Sequence, residues 1–108
     1  MTTVRNLSVD RSANLNIEIT VVDSNGFAVN LSGYSHVAYY KTHVAAANSV
    51  VMSTAGYANG LLTVSLTGEQ TSNAALGRYM YEVYITDIFT DEISRVQEGI
   101  LTFTGGLS

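Results

Sequence analysis

Alternation of apolar and polar residues is the dominant pattern along the chain. A period of two places every second side chain on one face of a β-strand. No stretch sustains the period of 3.6 that a helix needs over three turns. The pattern predicts an all-β domain whose strands bury one face. The apolar positions that share a parity within each strand form the expected core: Leu15, Ile17, Ile19, Val21, Leu62, Val64, Leu66, Val83 and Ile85.

Turn-forming residues separate these strands. Asn25-Gly26 supplies the positive φ angles of a tight hairpin, and Phe27–Leu31 is expected to return briefly as a strand. Val50–Ser53 is expected to be a short edge strand. About seven or eight strands, with turn signals roughly every 8 to 12 residues, are typical of an immunoglobulin-like, two-sheet antiparallel β-sandwich.

One short helix is expected within this sandwich. Thr67 and Gln70 have the spacing of a capping box, in which each residue satisfies the other's backbone N–H. The helix is predicted to run to about Ala75, and Gly77 is placed to end it.

The last hairpin allows a prediction of its register. Pairing Val83 with Val96 sets Tyr84 across from Arg95 and Ile85 across from Ser94. Glu82 then lies opposite Gln97 and diagonal to Arg95, within reach of an ion pair.

The parity of apolar residues in the final strand changes near Gly99, which predicts a β-bulge there. In this register Ile100 and Glu98 share the buried parity. A buried carboxylate needs a partner, so Glu98 is expected to accept a hydrogen bond from the Tyr81 hydroxyl, a backbone N–H or Arg78.

Composition narrows the function. The chain has 108 residues, a net charge of −4 and no cysteine. The absence of cysteine excludes disulfides and thiolate chemistry, and the negative net charge disfavours nucleic-acid binding. The sequence has no apolar run near the roughly 20 residues of a membrane span. We expect one domain over residues 1–108, made in a cytoplasm, with residues 1–6 and 105–108 as flexible tails or docking arms.

Candidate catalytic and metal-binding residues are few. His36 and His43 are seven apart on one predicted strand, so they lie on opposite faces and share no metal or proton. Asp87, Asp91 and Glu92 cluster at a hairpin tip, where calcium binding is the less favoured interpretation and turn formation the more favoured one. Asp23, beside Asn25-Gly26, is interpreted as a turn-forming residue. No catalytic residue, metal or cofactor is predicted.

The low charge content and the apolar residues on both sides of one strand indicate one candidate binding site. Only 13% of the residues are charged, about half the usual ~25%. The strand over Tyr34–Val44 carries apolar residues on both parities, so its outer side is expected to be covered locally. Tyrosine packs well both in cores and at protein interfaces. The residues predicted to face a partner protein are Val37, Tyr39, Lys41, Tyr84 and Arg95.

Short motifs along the chain resemble those of a known family. They run Val-Val-Asp-Ser-Asn-Gly, Val-Asn-Leu-Ser-Gly-Tyr, Leu-Leu-Thr-Val-Ser-Leu-Thr-Gly-Glu-Gln-Thr, Gly-Arg-Tyr-Met-Tyr-Glu-Val-Tyr-Ile-Thr-Asp and Ser-Arg-Val-Gln-Glu-Gly-Ile-Leu-Thr-Phe. Over residues 7–103 the chain resembles the small immunoglobulin-like modules of tailed-bacteriophage virions, including the N-terminal domain of baseplate upper proteins.

This resemblance implies a non-enzymatic structural protein of the virion, without cofactors. The chain ends after the module, which favours a capsid cement or decoration protein, or a small neck, tail or baseplate adaptor. The implied partners are the major capsid protein or tail and baseplate proteins, contacted in many copies or as a homo-oligomer, with no nucleic acid and no membrane. The alternative function is a ligand-binding β-module for carbohydrate or calcium.

Overall fold

The computed structural model describes residues 3–23, 25–42, 49–72 and 74–105. Eight strands and two short helical segments lie in these ranges. The strands are β1 (Thr3–Val4), β2 (Leu7–Asp10), β3 (Leu15–Thr20), β4 (Tyr34–Lys41), β5 (Val50–Gly56), β6 (Leu61–Leu66), β7 (Gly77–Asp87) and β8 (Ile93–Thr104). A 3-10 turn at Leu31–Gly33 precedes β4, and helix α1 spans Gly68–Ser72. Within the described ranges, no helix has the length and hydropathy of a membrane span.

The strands form an immunoglobulin-like β-sandwich. Hydrogen bonding connects them in the order β1-β8-β7-β4-β5-β6-β3, and β2 also pairs with β8. β5 joins the two layers, because residues 50–52 pair with β4 and residues 53–56 pair with β6. The edge strand expected at Val50–Ser53 is confirmed, since residues 50–52 pair on one side only, but the strand is longer than predicted and passes from the edge of one sheet to the edge of the other.

The core lies between the inner faces of the two sheets. All nine residues predicted for it are buried. Tyr40 lies 5.3 Å from Tyr79 and from Phe103, measured between ring centroids, so an aromatic cluster closes one region of this core. The strict alternation of buried and exposed residues in β3 confirms the clearest pattern in the sequence.

Local turn and cap predictions are confirmed where the structure describes them. Gly26 has a φ of +84°, and the carboxylate of Asp23 accepts hydrogen bonds from the backbone of the same turn. Thr67 and Gln70 form the expected capping box: the Thr67 N–H donates to Oε1 of Gln70, and the Gln70 N–H donates to Oγ1 of Thr67. The helix is shorter than predicted, since it ends at Ser72.

The return strand expected over Phe27–Leu31 does not form. One isolated bridge joins Val22 to Ala28, and the chain then enters the 3-10 turn. The side chain of Asn30 accepts a hydrogen bond from the Ser32 N–H at 3.0 Å, which stabilises this turn in place of a strand.

The register of the last hairpin is partly as predicted. Tyr84 pairs with Arg95 and Ile85 with Ser94, as expected, but Val83 pairs with Gln97 rather than Val96. The pairing shifts between Val83 and Tyr84, so the bulge lies at Val96 and not at Gly99. One extra residue there turns Gln97 inward, and this residue is only 3% exposed.

The bulge corrects two further predictions. Glu98 now faces outward opposite Glu82, and its partner is the guanidinium of Arg95, with 2.8 Å between Nε and Oε2. Ile100 is exposed rather than buried. The buried polar group that needs a partner is Gln97, whose amide donates to the Tyr81 hydroxyl at 3.0 Å.

Residues 3–6 are attached to the sheet and do not form a free arm. Thr3 and Val4 pair with β8 in parallel, and the Arg5 N–H donates to the carbonyl of Glu98. Gly99 permits this approach, because a Cβ at that position would lie 2.1 Å from the Arg5 carbonyl oxygen. Residues 1, 2 and 106–108 lie outside the described residues.

Candidate interaction face

One sheet presents a continuous outer surface, which we call the outer face. The register aligns Val37 with Tyr84 and Tyr39 with Glu82 across β4 and β7, and Glu82 with Glu98 across β7 and β8. Directly paired residues point to the same side of a sheet. The outer face comprises Val4, Val37, Tyr39, Lys41, Val51, Met80, Glu82, Tyr84, Arg95, Glu98 and Ile100.

All five residues predicted to meet a partner lie on this face. Val37, Tyr39 and Lys41 alternate along β4, while Tyr84 and Arg95 are neighbours across β7 and β8. The structure therefore brings the five together. Their role in binding stays a prediction.

Glu82 is the centre of a polar network on the outer face. Its Oε1 accepts a hydrogen bond from the Tyr39 hydroxyl at 3.2 Å. Its Oε2 accepts from the Tyr84 hydroxyl at 2.5 Å and from Nη1 of Arg95 at 3.1 Å. Arg95 in turn bridges Glu82 to Glu98. The diagonal pair of Glu82 and Arg95 confirms the sequence prediction.

The network perturbs the titration of its members. The hydrogen bond from Tyr84, supported by those from Arg95 and Tyr39, holds the pKa of Glu82 below its ordinary value, while partial burial opposes this effect. The same carboxylate raises the pKa of Tyr84. Burial raises the pKa of Tyr39. At neutral pH the face therefore carries an ionised glutamate beneath two neutral tyrosines.

Ring stacking and hydrogen bonds to Glu82 together constrain the orientation of the two tyrosines. The rings of Tyr39 and Tyr84 are nearly parallel, with 6.1 Å between centroids and 9° between planes. The ammonium group of Lys41 lies 5.4 Å from the centre of the Tyr39 ring, a cation–π contact. Since both hydroxyls are bound to Glu82, the rings have few alternative rotamers to lose on binding.

Exposed apolar side chains surround this network. Val37 and Val51 lie on the β4–β5 side, and Val4 and Ile100 lie on the β8 side. A hollow of about 390 Å³ opens beside Glu82 and Arg95, with Met80 and Ile100 among its walls. A rigid aromatic pair within an apolar surround is typical of protein-binding surfaces.

Glu82 is the member of the candidate site that the site prediction omitted. The sequence placed it diagonal to Arg95 but did not show that two tyrosine hydroxyls converge on it. Val4 and Val51 were also missed, because their strands join the face through pairings that no local pattern reveals. The available signal was the shared parity of Glu82 and Tyr84 on β7.

Two of the other candidate groups, His36 and Asp87, have structural partners. Nδ1 of His36 lies 2.9 Å from the hydroxyl of Thr54. Asp87 accepts hydrogen bonds from the N–H groups of Phe89 and Thr90 in the hairpin turn. His43 lies outside the described residues. In the part of the chain that the structure describes, no group of three or more His, Cys, Asp or Glu residues could hold a metal ion.

Comparisons with known proteins support the fold alone. Neither a family model nor a curated protein matches the chain. The NK cell receptor NKp44, a triggering partner in natural cytotoxicity, superposes with a TM-score of 0.52 at 12% identity, over 96% of this chain and 99% of that one. A family 123 glycoside hydrolase from Clostridium perfringens matches over 94% of this chain but only 23% of the hydrolase chain, with 11% identity and a TM-score of 0.46. The chain is similar to an immunoglobulin-like domain in architecture.

Proposed function

We propose that the protein is a non-enzymatic structural protein of a tailed-bacteriophage virion that binds other virion proteins through its outer face. The observation that carries the proposal is the rigid, partly apolar tyrosine network centred on Glu82. The resemblance of the short motifs to virion modules supplies the class of partner. A role as capsid cement or decoration protein, or as a neck, tail or baseplate adaptor, fits such a surface.

The chemistry of the face favours a protein surface as the partner. Tyrosine hydroxyls that already bind Glu82 are less able to serve a small polar ligand, whereas the ring edges and the flanking valines can bury apolar area. A particle lattice repeats each contact many times, so modest affinity per copy suffices.

The test measures incorporation into particles. Virions purified from the phage that encodes the chain are probed by negative-stain electron microscopy with an antibody against it, and by quantitative mass spectrometry. We expect labelling at a regular position and a fixed copy number. Virions that lack the chain would contradict the proposed function.

Matched variants locate the surface. Val37→Glu places a charge on the outer face, and Thr20→Glu places one on the exposed side of β3 in the other sheet. Both positions are exposed, so both variants are expected to fold. Val37→Glu should abolish incorporation, while Thr20→Glu should retain it. Equal incorporation of the two would show that the outer face is not the binding surface.

A further inference from the structure

A cleft of about 770 Å³ opens at one end of the sandwich and shares Arg95 with the edge of the outer face. The end of β3 and the following loop form one wall, and the β7–β8 hairpin forms the other. Its apolar lining includes Ile19, Val21 and Ile85, which belong to the core, together with Tyr34 and Val96. The three core residues are only 5–6% exposed, so the accessible apolar surface of the cleft comes from the residues around them, among them the partly buried Val29, Tyr34 and Val96.

Two turns with the same hydrogen-bonding pattern begin at the edge of this cleft, at Asp23 and Asp87. Asp23 accepts a hydrogen bond from the Phe27 N–H at 3.1 Å, and Asp87 accepts one from the Phe89 N–H at 2.8 Å. Each carboxylate thus stabilises its own turn by accepting hydrogen bonds from the turn's backbone. Each turn holds a phenylalanine in solvent, with Phe27 70% exposed and Phe89 84% exposed. Neither ring contributes to the core, so the fold does not explain them.

Charge at the cleft is mainly negative. The charged residues of its lining are Asp23, Asp87, Glu92 and Arg95. Arg95 already bridges Glu82 and Glu98 on the outer face, so its charge is matched by two carboxylates. A cation that enters the cleft meets an excess of carboxylates, whereas an anion is repelled.

We infer that this cleft docks an extended segment of a partner protein that carries Lys or Arg beside apolar side chains. The apolar lining takes the aliphatic side chains, and the carboxylates at the mouth bind the cation. This second surface meets the outer face at Arg95, and the inference does not depend on the virion role.

The experiment uses two blocked hexapeptides as probes, Gly-Leu-Arg-Arg-Leu-Gly and its analogue Gly-Leu-Glu-Glu-Leu-Gly. Titration into the ¹⁵N-labelled protein is followed by NMR. The arginine peptide should bind saturably and shift the amide signals of Val22, Ser94 and Val96. The glutamate peptide should bind at least about tenfold more weakly, because opposite charge at the rim favours the cation.

Two variants test separately how the charge and the shape of the cleft contribute to peptide binding. The double variant Asp87→Asn with Glu92→Gln removes two charges, and asparagine keeps the side-chain oxygen that holds the turn. We expect about a tenfold loss of affinity for the arginine peptide. Ser94→Tyr keeps every charge but fills the cleft, and should abolish binding. Glu18→Gln on β3 is the control and should bind as the wild type does.

Several outcomes would overturn the inference. They are no saturable binding, equal binding of both peptides, and signal changes confined to the outer face around Val37 and Tyr84. Sedimentation equilibrium that shows a dimer dispersed by Ser94→Tyr would assign the cleft to a second copy of the chain instead.

Discussion

Two pairs of tyrosines lie on the same two strands and have different surroundings. Tyr40 and Tyr81 face each other across β4 and β7 on the inner side, where they are 5% and 1% exposed. Tyr39 directly precedes Tyr40, and Tyr84 follows Tyr81 by three residues. The rings of Tyr39 and Tyr84 stack on the outer side. Strand parity alone assigns one pair to the core and the other to the surface.

The two pairs also satisfy their hydroxyls differently. Tyr81 donates to the Arg5 carbonyl and accepts from the amide of Gln97, so its partners are neutral and buried. Tyr39 and Tyr84 both donate to the ionised carboxylate of Glu82. Inside, the hydroxyl helps attach the N-terminal segment to the sheet. Outside, the hydroxyls fix the orientation of rings that a partner can contact.

The largest effect is expected from a matched pair of truncations. Tyr40→Ala opens a cavity beside Tyr79 and Phe103 and should cost about 3–5 kcal/mol in the free energy of unfolding. Tyr39→Ala removes a ring from the surface and should cost below about 1 kcal/mol. Urea denaturation followed by circular dichroism measures both. Similar losses for the two variants would break the distinction between the faces.

An intermediate effect is expected from the buried amide. Gln97→Leu leaves the Tyr81 hydroxyl without its donor and should cost about 1–3 kcal/mol. Tyr81→Phe should cost a similar amount. The double variant should be less destabilised than the sum of the two, because both partners of one hydrogen bond are then absent. Additive losses in this double-mutant cycle would show that the bond is not energetically coupled.

The smallest predicted effect is the contribution of Glu82 to the pH dependence of stability. The pKa of Glu82 lies below its ordinary value of 4.5 in the folded protein, so its contribution to stability is complete above that value. The contribution is lost as the pH falls through the lower, folded pKa. It should be below about 1 kcal/mol, since Arg95 is partly exposed to solvent.

Urea denaturation at pH 7 and pH 3 measures this contribution. The stability lost between the two values should be smaller in Glu82→Gln than in the wild type. Glu18→Gln, which removes an exposed carboxylate from the other sheet, should lose as much as the wild type does. An unchanged acid dependence in Glu82→Gln would show that the network does not stabilise the fold.

Much of the candidate site could be predicted from the sequence, because a period of two assigns residues to faces without knowledge of their neighbours. Val37, Tyr39 and Lys41 were placed together on this basis, and Tyr84 and Arg95 were correctly paired. The convergence on Glu82 could not be predicted in full. It requires three strands to lie side by side in a fixed register, which is a property of the sheet and not of any one strand.

Local physical chemistry was enough for the elements whose signals are contained in a few neighbouring residues. The alternation in β3 and β6, the turn at Asn25-Gly26 and the capping box of α1 are of this kind, since their hydrogen bonds or faces involve adjacent positions. Only the tertiary structure decided the bulge at Val96, the passage of β5 between the sheets and the parallel pairing of residues 3–10 with β8. Each of these depends on contacts between distant segments, and their free energy is gained only when the two sheets close over one core.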